Sequence, residues 1–146
     1  MKPVHNNNCR GTALVELAML LPLLVVVFAS AVDLGLLLRE YAILQNAARE
    51  GTRFSALPRN QINPAVNPGA TAALIQQRVV DYMAQENITV GTANIAVNQQ
   101  YPIQVGSLTV RGSEVTVSYS RKLLVAGFLP LTQVTLTGHA IFRNLY

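Results

Sequence analysis

Residues 12–38 read TALVELAMLLPLLVVVFASAVDLGLLL, 27 residues interrupted by two charges, Glu16 and Asp33. A helix of this length, at about 1.5 Å rise per residue, extends about 40 Å and crosses a hydrocarbon core of about 30 Å with some tilt. The stretch therefore reads as a membrane span. Pro22 would break such a helix in water, but inside a bilayer neighbouring groups re-satisfy the carbonyl it frees. The whole chain has the matching composition: 51% of its 146 residues are hydrophobic and 12% charged, against about 25% charged in ordinary soluble domains.

A polar stretch with Lys2 and Arg10 precedes the span, which is also how a secretory signal begins. Ala29-Ser30-Ala31 has the small-x-small form of a signal cleavage site, and the run from Leu17 to Phe28 has the length of a signal core. Cleavage after Ala31 would release a secreted binding module. Against it, apolar character continues through Leu34 to Leu38 and passes into a helical pattern. Arg39, Arg49 and Arg53 follow the span, so the distribution of basic residues does not itself favour a cytoplasmic N-terminus.

Glu16 is the residue the span has to account for. A carboxylate at mid-bilayer costs about 2.5 to 3.5 kcal/mol on insertion scales and less near the interface, so it needs a partner or headgroup water. Asp33, at the outer end, reads as a carboxylate at the level of the interface.

The stretch Arg10-Gly11-Thr12-Ala13-Leu14-Val15-Glu16 joins a basic leader to an apolar helix through a glycine, with a glutamate five residues beyond it. It resembles the processing site of type IV pilin-like precursors. Together with Pro22, VDLG at 32–35 and NAAREG at 46–51, it resembles the TadE-like family of pseudopilins from tight-adherence (Flp-type) pilus systems. The resemblance covers residues 10 to 57 and returns faintly between Phe128 and Arg143; Leu17 departs from it, standing where the family more often has an aromatic residue.

The resemblance implies a non-enzymatic, membrane-anchored structural protein of pilus assembly. A prepilin peptidase would cut between Gly11 and Thr12 on the cytoplasmic side, removing a leader of residues 1–11. Cys9, the one cysteine, would leave with it, as would Lys2 and Arg10. Nine basic residues would remain against seven acidic ones, lowering the formal charge from +4 to +2. The new α-amino group of Thr12 would stand one helical turn from Glu16, able to pair with it or with the glutamate of a staggered neighbouring subunit. The expected partners are the peptidase, other pilins or pseudopilins, the pilus assembly platform and the lipid bilayer. The expected location is the bacterial inner membrane, single pass, with the C-terminal domain outside the cytoplasm. A minor pseudopilin of type II secretion or DNA uptake is the alternative within the same class.

Beyond the span, Leu37, Tyr41, Leu44, Ala48, Gly51 and Phe54 form an amphipathic stripe. One helix is therefore expected over 12–57, ending before Pro58 at a length of roughly 69 Å. Small residues four apart, Ala31 with Gly35 and Ala47 with Gly51, are candidate positions for close helix packing. Glu50 and Arg53 are spaced for a surface ion pair.

Three prolines and three asparagines mark 58–69 as a loop. A domain over 70–146 follows. Asn67-Pro68 fits a helix start, and Ala72, Ile75, Val79 and Met83 share one face of a second helix ending near Glu86. Its charges, Arg78, Asp81 and Glu86, read as a solvated face. Asn87-Ile88-Thr89 matches a glycosylation sequon.

The apolar period then changes to two around Ile95, Leu108, Val115 to Tyr119, and Val134 to Leu136, with Arg111-Gly112-Ser113 as a hairpin tip. The expected fold class is α+β: a long N-terminal transmembrane helix, a second helix, and a three- or four-stranded antiparallel sheet. The uncharged run Leu123 to Leu131 either closes the core or exposes an apolar patch to a partner or the bilayer.

Chemistry-bearing motifs are missing. There is no phosphate loop, no GxSxG elbow and no HExxH helix. One cysteine and two histidines offer no metal-ligand cluster, and eleven dispersed basic residues make no nucleic-acid footprint. Ser118 and Ser120 beside Arg121 and Lys122 fit strand alternation better than a Ser/Lys hydrolase, and His139 has no acid nearby in sequence. Neither a catalytic residue, a cofactor nor a small-molecule substrate is expected.

Overall fold

The computed structural model describes residues 9–56, 68–127 and 132–144. Helix α1, Cys9–Ser55, is continuous through Pro22; its 47 residues make it about 70 Å long. Helix α2 is Pro68–Gln85. Three strands follow, β1 Ile95–Val105, β2 Leu108–Lys122 and β3 Gln133–Arg143. They form one antiparallel sheet in the order β1-β2-β3. The architecture is the expected α+β, with three strands. The proposed loop at 58–69 and the Asn67 cap fall mostly outside the described residues, as do Phe128 to Leu131.

The hairpin tip is not at Arg111-Gly112-Ser113. Leu108 to Lys122 is a single strand, and the chain reverses at Gly106-Ser107, between the paired Val105 and Leu108. Gly106 has φ 63°, the left-handed geometry a two-residue turn requires at its first central position and that glycine adopts freely. Gly112 serves close packing instead: a Cβ there would lie 2.3 Å from Ile103 Cδ1 and 2.9 Å from the Phe142 carbonyl oxygen.

Helix α2 ends by a left-handed cap. Asn87, at φ 61°, donates its N–H to Ala84, and the Ile88 N–H reaches back to the Met83 carbonyl. These two bonds with the Met83–Ile88 apolar pair, both buried in the core, make a Schellman stop. The asparagine of the sequon thus has a structural reason for its position.

The core forms where α1 and α2 cover one sheet face. Ile43, Leu44, Ala47 and Ala48 of α1 meet Ile75, Val79 and Met83 of α2 over Ile95, Val115 and Val117. Full burial of each of the larger side chains contributes about 1.5–3 kcal/mol. The α1 stripe is rotated from the expected one: Leu44, Ala48 and Gly51 are buried, but Tyr41 is exposed and Glu40 takes the inward position. Hydropathy alone would not turn a glutamate inward.

A polar cluster closes the far end of this core. Ser55 Oγ donates to Ser113 Oγ at 2.8 Å, and Ser113 donates to Asn144 Oδ1 at 2.7 Å. A β-bulge between Asn98 and Tyr101 brings Gln99 to the cluster: its amide donates to Ser55, and its carbonyl accepts from Asn144. The end of α1 and all three strands are thereby tied together.

Candidate functional site

The N-terminal half of α1 is the part that stands outside the core of the described residues. From Leu14 through Phe28 its large apolar side chains, the half-buried Val26 aside, stand exposed, and Val32, Leu34 and Leu38 continue the surface. The most apolar window of Gly11–Ser55 has mean hydropathy 2.5 and none of it is buried. In water this surface would cost about 25 cal/mol for every Å² exposed; in hydrocarbon that cost vanishes. One helix of the described residues is long and apolar enough to cross a membrane, compatible with a single-pass anchor.

Gly11, Thr12 and Glu16 all lie on this exposed part of α1. A Cβ at Gly11 would meet nothing within 4 Å. Ala31 and Gly35 are also exposed, with open space around Gly35. Ala47 and Gly51 are instead buried within the chain. A Cβ on Gly51 would come within 2.7 Å of Val79 Cγ2 and 3.3 Å of Val115 Cγ1, so the missing side chain lets α1 seat against α2 and the sheet together. The two small-residue pairs therefore sit in opposite environments.

Four acidic residues fasten α1 to the rest, and sequence spacing pointed to none of these pairings. Asp33 is buried rather than at an open interface: Oδ1 accepts the Leu124 N–H at 3.0 Å and Oδ2 the Val125 N–H at 3.1 Å. It caps the 3-10 turn Leu124–Gly127 that leads out of β2. Two turns on, Glu40 is paired with Arg121, both largely buried; among the described residues Glu40 Oε2 and Arg121 Nε have no hydrogen-bond partner. Glu50 pairs with Arg78 of α2 at 2.9 Å instead of with Arg53, and Arg39 lies 3.7 Å from Glu86. The apparent solvated face of α2 is thus partly a tether. The seven-residue step from Asp33 to Glu40 is the signal available in the sequence: on a helix it keeps both acids on one face.

The remaining polar groups lie on the opposite sheet face. His139 Nε2 is 2.9 Å from Glu114 Oε1, an acid that strand pairing brings near from 25 positions away. Ser120 and Thr135 share a hydrogen bond at 3.0 Å, whereas Arg121 turns to Glu40 on the helix side. Among the described residues no group of three His, Cys, Asp or Glu side chains is placed to hold a metal ion.

Comparison with known proteins finds a similarity, and it falls on this helix. Residues 11–53 match the family model described as TadE-like protein. The match covers the exposed apolar half of α1 and its extension as far as Arg53, and leaves α2 and the sheet outside. No curated protein and no solved structure matches the chain.

Proposed function

We propose that this chain is a membrane-anchored pseudopilin acting as a non-enzymatic component in assembly of a tight-adherence pilus. The observation carrying the proposal is that residues 11–53 match TadE-like proteins over the same helix whose first half presents apolar side chains to its surroundings. TadE-like proteins belong to such pilus systems, and an apolar helix of this length suits both a bilayer and the packed helices of a filament.

In this reading a prepilin peptidase cuts between Gly11 and Thr12 at the cytoplasmic face of the inner membrane. The exposure of both residues favours access. The amine so formed stands one turn from Glu16, and the pair offsets the cost of a lone carboxylate in the apolar layer. Between staggered subunits the same pairing would set the helix register, with Ala31 and Gly35 permitting close approach of neighbours. Outside the membrane, the sheet and α2 ride on the continuing helix and meet other pilins and the assembly platform.

The test is the intact mass and N-terminal sequence of the protein from native membranes. A chain starting at Thr12 supports the proposal. A start at Val32 identifies an exported soluble domain, and an uncut Met1 removes the peptidase step on which the pilin reading depends.

A further inference from the structure

The Asp33 cap determines where one apolar element sits relative to the span. Leu124, first residue of the capped turn, is 60% exposed, while Val125 beside it is buried. The connection is closed at its neck by the Leu123 N–H donating to the Thr132 carbonyl at 3.2 Å. From Leu123 to Leu131 it contains no charged residue. Asp33 holds the turn at one height on α1. From Leu14 to that height the helix rises about 29 Å, close to the thickness of a hydrocarbon core. An exposed leucine is thus held where the span leaves the apolar layer, and Lys122, also exposed, precedes it at the end of β2.

We infer that the occupant of this patch is the outer surface of the same bilayer: Leu124 and its turn dip into the headgroup boundary as a second, peripheral membrane contact. The inference rests on reading α1 as a membrane span. Height and charge favour lipid. A leucine at the boundary removes apolar surface from water, Lys122 can extend its ammonium to the phosphates, and the Asp33 carboxylate is already satisfied by two N–H groups. A single helix leaves a domain free to swing about the membrane normal; a second contact on another element limits its tilt.

The experiment uses the full chain in phosphatidylcholine–phosphatidylglycerol vesicles, with Cys9→Ser removing the native thiol. An environment-sensitive fluorophore is placed in turn through Val25→Cys, Leu124→Cys and Leu108→Cys; Leu108 is an equally apolar, exposed residue at the distant β1–β2 turn. Lipids with a doxyl group high on the acyl chain, and others with one near its end to reach mid-layer residues such as position 25, serve as quenchers, and aqueous iodide as the complement. Loss of fluorescence to doxyl lipid at positions 25 and 124, but not 108, supports the inference. Quenching at 25 with 124 behaving like 108 overturns it and leaves the anchor standing. Position 124 shielded from both quenchers assigns the patch to protein and overturns lipid contact. No quenching at position 25 removes the span, and the inference with it.

Discussion

Gly138→Ala tests the contact that seats α1 on the sheet. In β3, Gly138 stands opposite Val117 and beneath Leu44. An added Cβ would lie 2.4 Å from the Leu44 carbonyl oxygen, 2.5 Å from its carbonyl carbon and 2.8 Å from its Cβ. Ordinary contact begins near 3.4 Å, so α1 must withdraw by about 1 Å. These are not the ends of a flexible side chain, so no rotamer change relieves them. A gap of 0.5–1 Å forfeits a quarter to a half of each dispersion contact across it, and Leu44 is at the centre of the core. Overpacking of this kind costs about 1–3 kcal/mol. Alanine returns about 0.4–1 kcal/mol by restricting the unfolded chain, leaving a net loss of about 1–2 kcal/mol. The assay is thermal unfolding of the full chain in mild detergent, followed by near-ultraviolet circular dichroism of tyrosine. The chain has five tyrosines and no tryptophan, and Tyr82 and Tyr119 pack against the core. Gly35→Ala, with open space around its site, is the control and should melt at or slightly above the wild type. A Gly138→Ala protein melting with the wild type would refute the claim that this glycine permits the helix–sheet approach.

Other contacts give separate expectations. Asp33→Ala leaves the Leu124 and Val125 N–H groups without their acceptor and should lower stability by about 1.5–3 kcal/mol, with faster amide exchange at 124 and 125. Glu40→Met strands the Arg121 charge and should destabilise by about 3 kcal/mol, while Glu40→Met with Arg121→Met should recover most of the loss in a double-mutant denaturation cycle. Ser113→Ala breaks the bonds to Ser55 and Asn144 in a fully buried position, for a loss of about 1–3 kcal/mol by the same melting assay. Glu16→Gln should leave the melting temperature unchanged, because Glu16 is exposed and remote from the core, yet reduce recovery of the chain in pilus complexes; unchanged recovery would end the pairing role.

The interlocked C-terminal half of α1 gives the proposed function a mechanical aspect. Asp33, Glu40, Leu44, Gly51 and Ser55 bind successive turns of one helix to the 3-10 turn, the sheet or α2. Rotation or withdrawal of the N-terminal half of α1 is therefore transmitted to the domain through the contacts made between residues 33 and 55. In the proposed pseudopilin, movement of this helix would move α2 and the sheet as well.

Elements with strong local signatures were legible before any fold was known. Twenty-seven nearly uncharged residues define a long apolar helix, the 3.6-residue period from Ala72 to Met83 defines α2, and alternation defines strands, because each depends on neighbours along the chain. The motif around Gly11 and Glu16 also belongs to local spacing. The turn between β1 and β2 was misplaced, because Arg111-Gly112-Ser113 is the more conspicuous turn signal and the pairing of Val105 with Leu108 puts the reversal at Gly106-Ser107. Contacts between distant segments, by contrast, make Gly112 and Gly138 close-packing positions, turn Ala47 and Gly51 inward but not Ala31 and Gly35, and bury Asp33 and Glu40. A glycine that yields space to a helix looks the same in sequence as one that makes a turn. A carboxylate belongs in water until a partner 81 or 92 positions away makes its burial favourable, and that partner is brought to it by the pairing of strands.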